Sequence, residues 1–187
     1  GTGCAGNGLY VNAAISHLSV TGNSFLYNLQ SGVGLNAVGT APSFVTISGN
    51  NLSENTYDGL DVNEPGAAPA NNVMRLVIDG NVISGNGKLV ATGTGMILER
   101  ISHTTISNNE ITGNHREGIL ALTASYIIID GNDVSGNSTE ALNAAAAIRL
   151  NNTDHSVVSN NITTNALTGV ANQSYGILTD GTSNYNA

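Results

Sequence analysis

One phrase returns six times along the chain: LSVTGNSFLYN from Leu18, VTISGNNLSEN from Val45, LVIDGNVISGN from Leu76, TTISNNEITGN from Thr104, IIIDGNDVSGN from Ile127 and VVSNNITTN from Val157. Each copy holds two asparagines five residues apart: Asn23 and Asn28, Asn50 and Asn55, Asn81 and Asn86, Asn109 and Asn114, Asn132 and Asn137, Asn160 and Asn165. The first members of these pairs lie 27, 31, 28, 23 and 28 residues apart. Repeats of that length mark a solenoid, whose units cannot bury an apolar face alone and do so by stacking.

A second phrase falls between the copies: GLYVN from Gly8, GLNAV from Gly34, GLDVN from Gly59, GMILE from Gly95, GILAL from Gly118, AIRLN from Ala147 and GILTD from Gly176. Each period thus offers two or three short strands joined by Gly and Asn turns, with no room for the crossover helix that a βαβ sheet needs. Parallel strands stacked coil on coil at roughly 4.8 Å satisfy the pattern. The sequence therefore predicts an all-β, right-handed parallel β-helix of about seven coils. Asparagines at one corner of every coil are expected to stack their amides as a structural ladder, and Asn also tolerates the left-handed turn conformation.

Strand alternation separates interior from exterior. Leu9, Leu35, Leu60, Met96, Ile119, Ile148 and Ile177, with Val11, Ala37, Val62, Leu98, Ala121, Leu150 and Thr179, read as core. The alternate positions read as a mixed outward face, with Tyr10, Asn36, Asp61, Ile97, Leu120, Arg149 and Leu178 in one row and Asn12, Val38, Asn63, Glu99, Leu122, Asn151 and Asp180 in the next. Insertions at Glu64 to Asn72 and Gly87 to Thr94 bracket the third and fourth coils and are expected to form loops on one face, often the binding face.

The chain of 187 residues reads as a single β-helix segment, residues 1–187, with no sign of a second domain. Neither end shows a capping element, so flanking coils or caps are expected and the segment reads as part of a longer protein. Apolar residues make up 40% of the chain and charged residues 10%, which excludes disorder driven by charge. A formal charge of −8 with five Lys and Arg argues against nucleic acid, which needs a basic stripe. No apolar run approaches the 18 or so residues that span a bilayer, so no membrane partner is expected. Cys4, alone, decides nothing about redox compartment. Asn-x-Ser/Thr triplets at Asn51, Asn137, Asn161 and Asn172 are what this composition produces by chance.

Candidate chemistry gathers on the outward face of the third to sixth coils: Tyr57, Asp58, Asp61, Asn63 and Glu64, then Glu99, Arg100 and His103, then His115, Arg116 and Glu117, then Arg149. Three of five basic residues near one stripe of an acidic protein point to an anionic ligand, because a guanidinium grips a carboxylate with two parallel hydrogen bonds. The ordinary readings stand beside this one: Tyr57 as a packing residue with a wet hydroxyl, the histidines as solvated turn residues, the carboxylates as solubilising charges or calcium ligands.

The run Tyr57-Asp58-Gly59-Leu60-Asp61-Val62-Asn63-Glu64 resembles the Tyr-Gly-Phe-Asp-Pro-His-Glu run of the mannuronan C-5 epimerases, with Asp58 inserted. NHREGILAL from Asn114 and the coil after it resemble those enzymes' Asn-Asp-Arg-His-Gly coil, which sets Arg116 on a substrate-binding arginine; the likeness spans about Thr56 to Asn165. Asn63 stands where the family has His, and Glu117 replaces another.

The resemblance implies abstraction of H5 from a uronic acid, followed by reprotonation or β-elimination. It assigns Arg116, with Asp61 if protonated, to the sugar carboxylate, Tyr57 to proton transfer, and His115 or His103 as substitute base. Asn63, Glu64, Glu99, Arg100, Glu117 and Arg149 then serve as substrate-binding residues. No cofactor is required, calcium is possible, the partner is an anionic polysaccharide, and the location is extracellular or at the cell surface. A glycoside hydrolase using a pair such as Asp61 and Glu99, or a noncatalytic glycan-binding or structural module, would use the same scaffold.

Overall fold

The computed structural model describes residues 6–12, 17–36, 43–62, 74–88, 93–139, 145–165 and 174–187. Among them there are strands and turns and no helix, arranged as a right-handed parallel β-solenoid. In chain order the strands are β1 (Leu9–Val11), β2 (His17–Thr21), β3 (Val33–Leu35), β4 (Ser43–Ser48), β5 (Leu60–Val62), β6 (Met74–Asp79), β7 (Val82–Ser84) and β8 (Met96–Glu99). They continue with β9 (Ser102–Ser107), β10 (Glu110–Thr112), β11 (Ile119–Leu122), β12 (Ser125–Asp130), β13 (Ala146–Asn151), β14 (Val157–Ser159) and β15 (Tyr175–Asp180).

Three parallel sheets run along the axis. The first has seven strands in the order β1-β3-β5-β8-β11-β13-β15, and the second has six, β14-β12-β9-β6-β4-β2. The third pairs β10 with β7 and is extended by single bridges such as Asn51 to Val82 and Asp133 to Ile162. Every pairing joins one coil to the next, so no strand has its sequence neighbour beside it.

Register fixes the core. Leu9, Val33, Leu60, Met96, Ile119, Ile148 and Ile177 form one column of the first sheet, and Val45, Leu76, Thr104 and Ile127 continue the interior of the second. Most of these side chains are sealed from water, each worth roughly 1.5–3 kcal/mol. Two expectations are corrected here. Val33, not Leu35, stacks on Leu9, which moves the second coil by two residues and brings Gly34 beside Tyr10 and Asp61. Ile177 is half exposed on β15, the end strand of its sheet among the described residues. Ala37 and Val38 lie outside the described residues.

Two asparagine ladders flank the third sheet. In the first, the Asn23, Asn50, Asn81 and Asn109 backbone N–H groups each donate to the Oδ1 of the next ladder member at 2.9–3.0 Å, and the side-chain amides donate to the same oxygens at 2.9–3.3 Å. The second runs Asn28, Asn55, Asn86, Asn114, Asn137 with the same pattern. Buried amides that bond in both directions satisfy the turn backbone that no strand covers.

The sixth copy needs a correction of phase. Asn132 donates to Asn161 at 2.9 Å, so Asn161 is the ladder member. Asn160 takes the left-handed position, φ 52°, filled by Gly22, Gly49, Gly80 and Gly131 in other coils and by Asn108 in the fourth copy. Asn is the non-glycine residue best suited to that conformation, and two successive asparagines conceal which one belongs to the ladder. Asn165 is exposed.

Candidate functional site

The turn that enters each strand of the first sheet is held by backbone bonds between coils. Gly32, Gly59 and Gly95 N–H groups donate to the carbonyls of Asp58, Thr94 and Glu117 at 2.9, 3.2 and 3.0 Å. Ser31, Asp58, Thr94 and Glu117 therefore occupy equivalent places on successive coils. One residue earlier, Tyr57 N–H donates to Gln30 and Arg116 N–H to Gly93, which aligns Gln30, Tyr57, Gly93 and Arg116. Tyr57 and Arg116 are thus two coils apart in one column, with a glycine between them. Gly93 admits no side chain, because a Cβ there would collide with Gly87.

Asp58 is mostly buried, and its Oδ1 accepts from both the N–H and the hydroxyl of Thr94 at 2.7 Å. Burial still dominates and raises its pKa, against the lowering by those bonds and by the Arg116 charge. Asp61 points outward from β5. Burial, then the charges of Asp58 and Glu99, push its pKa up to about 6. Its Oδ1 is sealed from solvent with no hydrogen-bond partner among the described residues. A carboxyl in that condition is partly protonated near neutrality and can either donate a proton or accept a new partner.

Next along the face the side chains are committed to one another. Glu117 has 0% exposure; its Oε1 accepts from Arg149 Nη1 at 3.3 Å, while Arg116 Nε lies 3.5 Å from Oε2 as an ion pair without a hydrogen bond. Arg149 also grips Asp180 through Nη2 at 2.7 Å and Nε at 3.2 Å, while Asn151 donates to the same carboxylate at 2.9 Å. Arg149's bonds and charge hold the Asp180 carboxyl below its ordinary range. Where the strands of this sheet end, a groove of about 230 Å³ is lined by Glu99, Arg100, Leu122, Thr123 and Asn151.

Tyr57 (42% exposed), Asp61, Glu99, Arg100 and Arg116 lie where a ligand on this face would meet them. Four expectations are corrected. His115 is buried at 6% exposure, so it is packed rather than presented. Glu117 is an internal counter-charge, because the tight turn after Arg116 turns it under the guanidinium of Arg149. Arg149 spends its donors on Asp180 and Glu117 instead of an incoming anion. Leu120, in the outward row, is 7% exposed, being packed between β8 and β13 beneath these larger groups.

His103 lies round the corner on the second sheet, its ring stacked on Tyr126. Asn63 and Glu64 lie outside the described residues, as does the insertion that follows them. Thr94 and Asp180 were missed as site residues. Asp180 ends the last outward row, where a carboxylate one coil from Arg149 was the available signal. Thr94 offered none before the coils were aligned. Among the described residues no group of three or more His, Cys, Asp or Glu is placed to hold a metal ion.

Comparison with known proteins gives a family. No curated protein sequence matches the chain. A solved structure that matches is the A-module of Azotobacter vinelandii mannuronan C-5 epimerase AlgE4, 14% identical, with a TM-score of 0.33; the match covers 83% of this chain and 59% of that one. The chain thus spans about 59% of that module's length. The family model described as "Right handed beta helix region" matches residues 45–187, five of the six repeat copies, and the chain belongs to that family.

Proposed function

We propose that the outer face of the first sheet binds an acidic polysaccharide and carries proton-transfer chemistry on its uronate units, with Tyr57, Asp61 and Arg116 as the acting residues. The observation that carries this reading is Asp61, a carboxyl raised to about 6 with a buried, unpartnered oxygen, on the coil that also supplies Tyr57. Abstracting the proton next to a carboxylate requires that the carboxylate be neutralised first. A protonated Asp61 shares its proton with the substrate carboxylate, Arg116 supplies the positive charge, and Tyr57 moves the proton at carbon. The partner is the anionic polysaccharide itself, met outside the cell or at its surface.

Glycoside hydrolysis is the second reading. The charge of Glu99 acts on the raised Asp61, so two carboxyls share this face as a hydrolase's do. Two-dimensional proton–carbon NMR of alginate and pectin incubated with the chain and with Tyr57→Phe, with and without calcium, separates the cases. New guluronate or unsaturated-sugar signals that disappear in Tyr57→Phe are expected. New reducing ends alone would transfer the assignment to hydrolysis, and unchanged spectra from folded protein would leave a noncatalytic module.

A further inference from the structure

The outer surface of the second sheet takes no part in the first sheet's chemistry. Its six strands, β2, β4, β6, β9, β12 and β14, present three outward columns. Register makes Ser19, Thr46, Val77, Thr105, Ile128 and Val157 the middle one. Two residues before it on each strand runs a flank that includes Phe44, Arg75, His103 and Tyr126. Two residues after it runs the other flank, which includes Ser48, Asp79, Ser107 and Asp130. A sheet face that meets only water is ordinarily polar. Here Phe44, Val77, Tyr126, Ile128 and Val157 stand between 42% and 50% exposed on one continuous surface, the mark of a face that something covers.

The charges on that surface are unevenly placed. Among the strands of this sheet the Lys, Arg, Asp and Glu residues are Arg75 in the first flank and Asp79 and Asp130 in the second. The Arg75 guanidinium lies over the Phe44 ring at 5.5 Å and has no hydrogen bond or ion pair among the described residues, so its N–H donors remain available. Asp79 and Asp130 each use Oδ1 to accept from a serine and an asparagine of the next coil, and each leaves Oδ2 outside those bonds. Arg75 and Asp79 are four residues apart on β6, about 13 Å, too far to pair with each other.

We infer that this face is an interface with a second copy of the chain: the two solenoids pack sheet to sheet with parallel axes, related by a twofold that runs over the middle column. That operation keeps each coil opposite the same coil of its partner and exchanges the two flanks. Arg75 of each copy then meets the other's Asp79, giving two ion pairs by symmetry. The Tyr126 hydroxyl meets the other's Asp130, a donor against a free carboxylate oxygen. Along the twofold itself Val77, Ile128 and Val157 each meet their own counterparts and form an apolar seam. A twofold running along the strands sets each flank against itself instead. Arg75 then meets no carboxylate in any axial register, and the register centred on β9 opposes Asp79 to Asp130, which like charges disfavour.

Size decides how tight the pair is. Six strands at roughly 4.8 Å span about 29 Å, and three columns with their side chains about 20 Å. Each copy therefore contributes about 600 Å², or about 1,200 Å² in all, the lower end of the range for specific interfaces. The dimer is reversible, with a dissociation constant on the order of 10 μM. The inference does not rest on the chemistry proposed for the first sheet, whose outer face both copies leave open.

The test is sedimentation velocity of the chain between about 1 and about 500 μM, where monomer should give way to dimer near about 10 μM. Ile128→Lys sets two ammonium groups against each other across the twofold and should leave monomer throughout. Arg75→Asp and Asp79→Arg, made separately, each turn two attractive pairs into two like-charge contacts and should weaken the dimer at least about tenfold, at roughly two- to fivefold per pair. The exchange Arg75→Asp/Asp79→Arg should bring the dissociation constant back to within about threefold of the parent. Asp79→Arg loses its bonds to Ser107 and Asn108 in the single and the double variant alike, so recovery in the exchange cannot come from the fold. Nor can it come from a pair within one chain, given the distance between the two positions. A chain that stays monomeric up to about 500 μM overturns the interface, as does a dimer that Ile128→Lys leaves intact. An exchange that associates no better than the single variants overturns the parallel twofold and the proposal with it.

Discussion

The asparagine ladders and the outer face of the first sheet run the same length of the same solenoid and differ in one respect. The ladder repeats its residue from coil to coil, whereas the outward row changes from Gly34 to Asp61, Ile97, Leu120 and Arg149. Repetition is what a stacking interaction rewards, because each amide is both donor and acceptor for an identical neighbour. Variation shows where coil-to-coil stacking is not the constraint. In a repeat protein, the positions that break the repeat are therefore the ones to search for chemistry.

That contrast can be broken at its strongest point first. Asn86→Ala removes an acceptor used by Asn55 N–H and Nδ2 and a donor to Leu52 O and Asn114 Oδ1. Each buried group left without a partner costs about 1–3 kcal/mol, so a loss of about 5 kcal/mol is expected in a denaturant titration. A loss below about 1 kcal/mol would mean that the ladder records the repeat without supporting it.

Arg149→Met is the next largest. It leaves Glu117 buried with only the longer contact to Arg116, and removal of one partner from a buried pair costs about 3 kcal/mol. Lys88→Ala, which breaks the exposed pair with Glu54 at 2.8 Å, should cost less than about 1 kcal/mol. Similar thermal shifts for the two variants would contradict the view that Glu117 is an internal charge.

Asp61 gives an effect smaller than that of Arg149 and of the opposite sign. Its folded pKa, about 6, lies above the ordinary carboxylate value, so the folded state binds more protons than the unfolded state between about pH 4 and 6. Its contribution is fully present below pH 4 and is lost as pH rises through 6. Allowing for its partial exposure to solvent, Asp61→Asn should stabilise the chain by about 1–2 kcal/mol at pH 8 and leave it unchanged at pH 4. A flat difference across that range would remove the strain from this site, and with it the main support for a functional role.

The solenoid was legible because stacking imposes a period, and a period survives in sequence whatever the side chains between its marks. Phase was harder to read. Asn160 and Asn161 differ by one position in a turn, and only the ladder bonds tell them apart. The second coil slipped by two because GVGLN and GLNAV carry the same alternation.

Site residues followed the opposite rule. Tyr57, Asp61 and Arg116 could be picked out by residue type, but the burial of Glu117 and His115 depends on how the neighbouring coils cover them, which no single phrase contains. The exposed rings of the second sheet, His103, Tyr126 and His155 stacked face to face, were legible and missed. His17, Phe44, Arg75, His103, Tyr126 and His155 each stand six residues before a member of the first Asn ladder.

All three sheets place their hydrogen bonds along the solenoid axis, one coil to the next, and that geometry has a mechanical consequence. Tension along the axis loads the bonds of one coil boundary at a time and opens it like a zipper, whereas tension across the coils shears several strands together. Successive ladder positions differ by 23 to 31 residues. At roughly 3.5 Å per extended residue, each coil paid out would lengthen the molecule by about 80–110 Å. Pulled along that axis, such a solenoid would yield in discrete steps, one coil at a time.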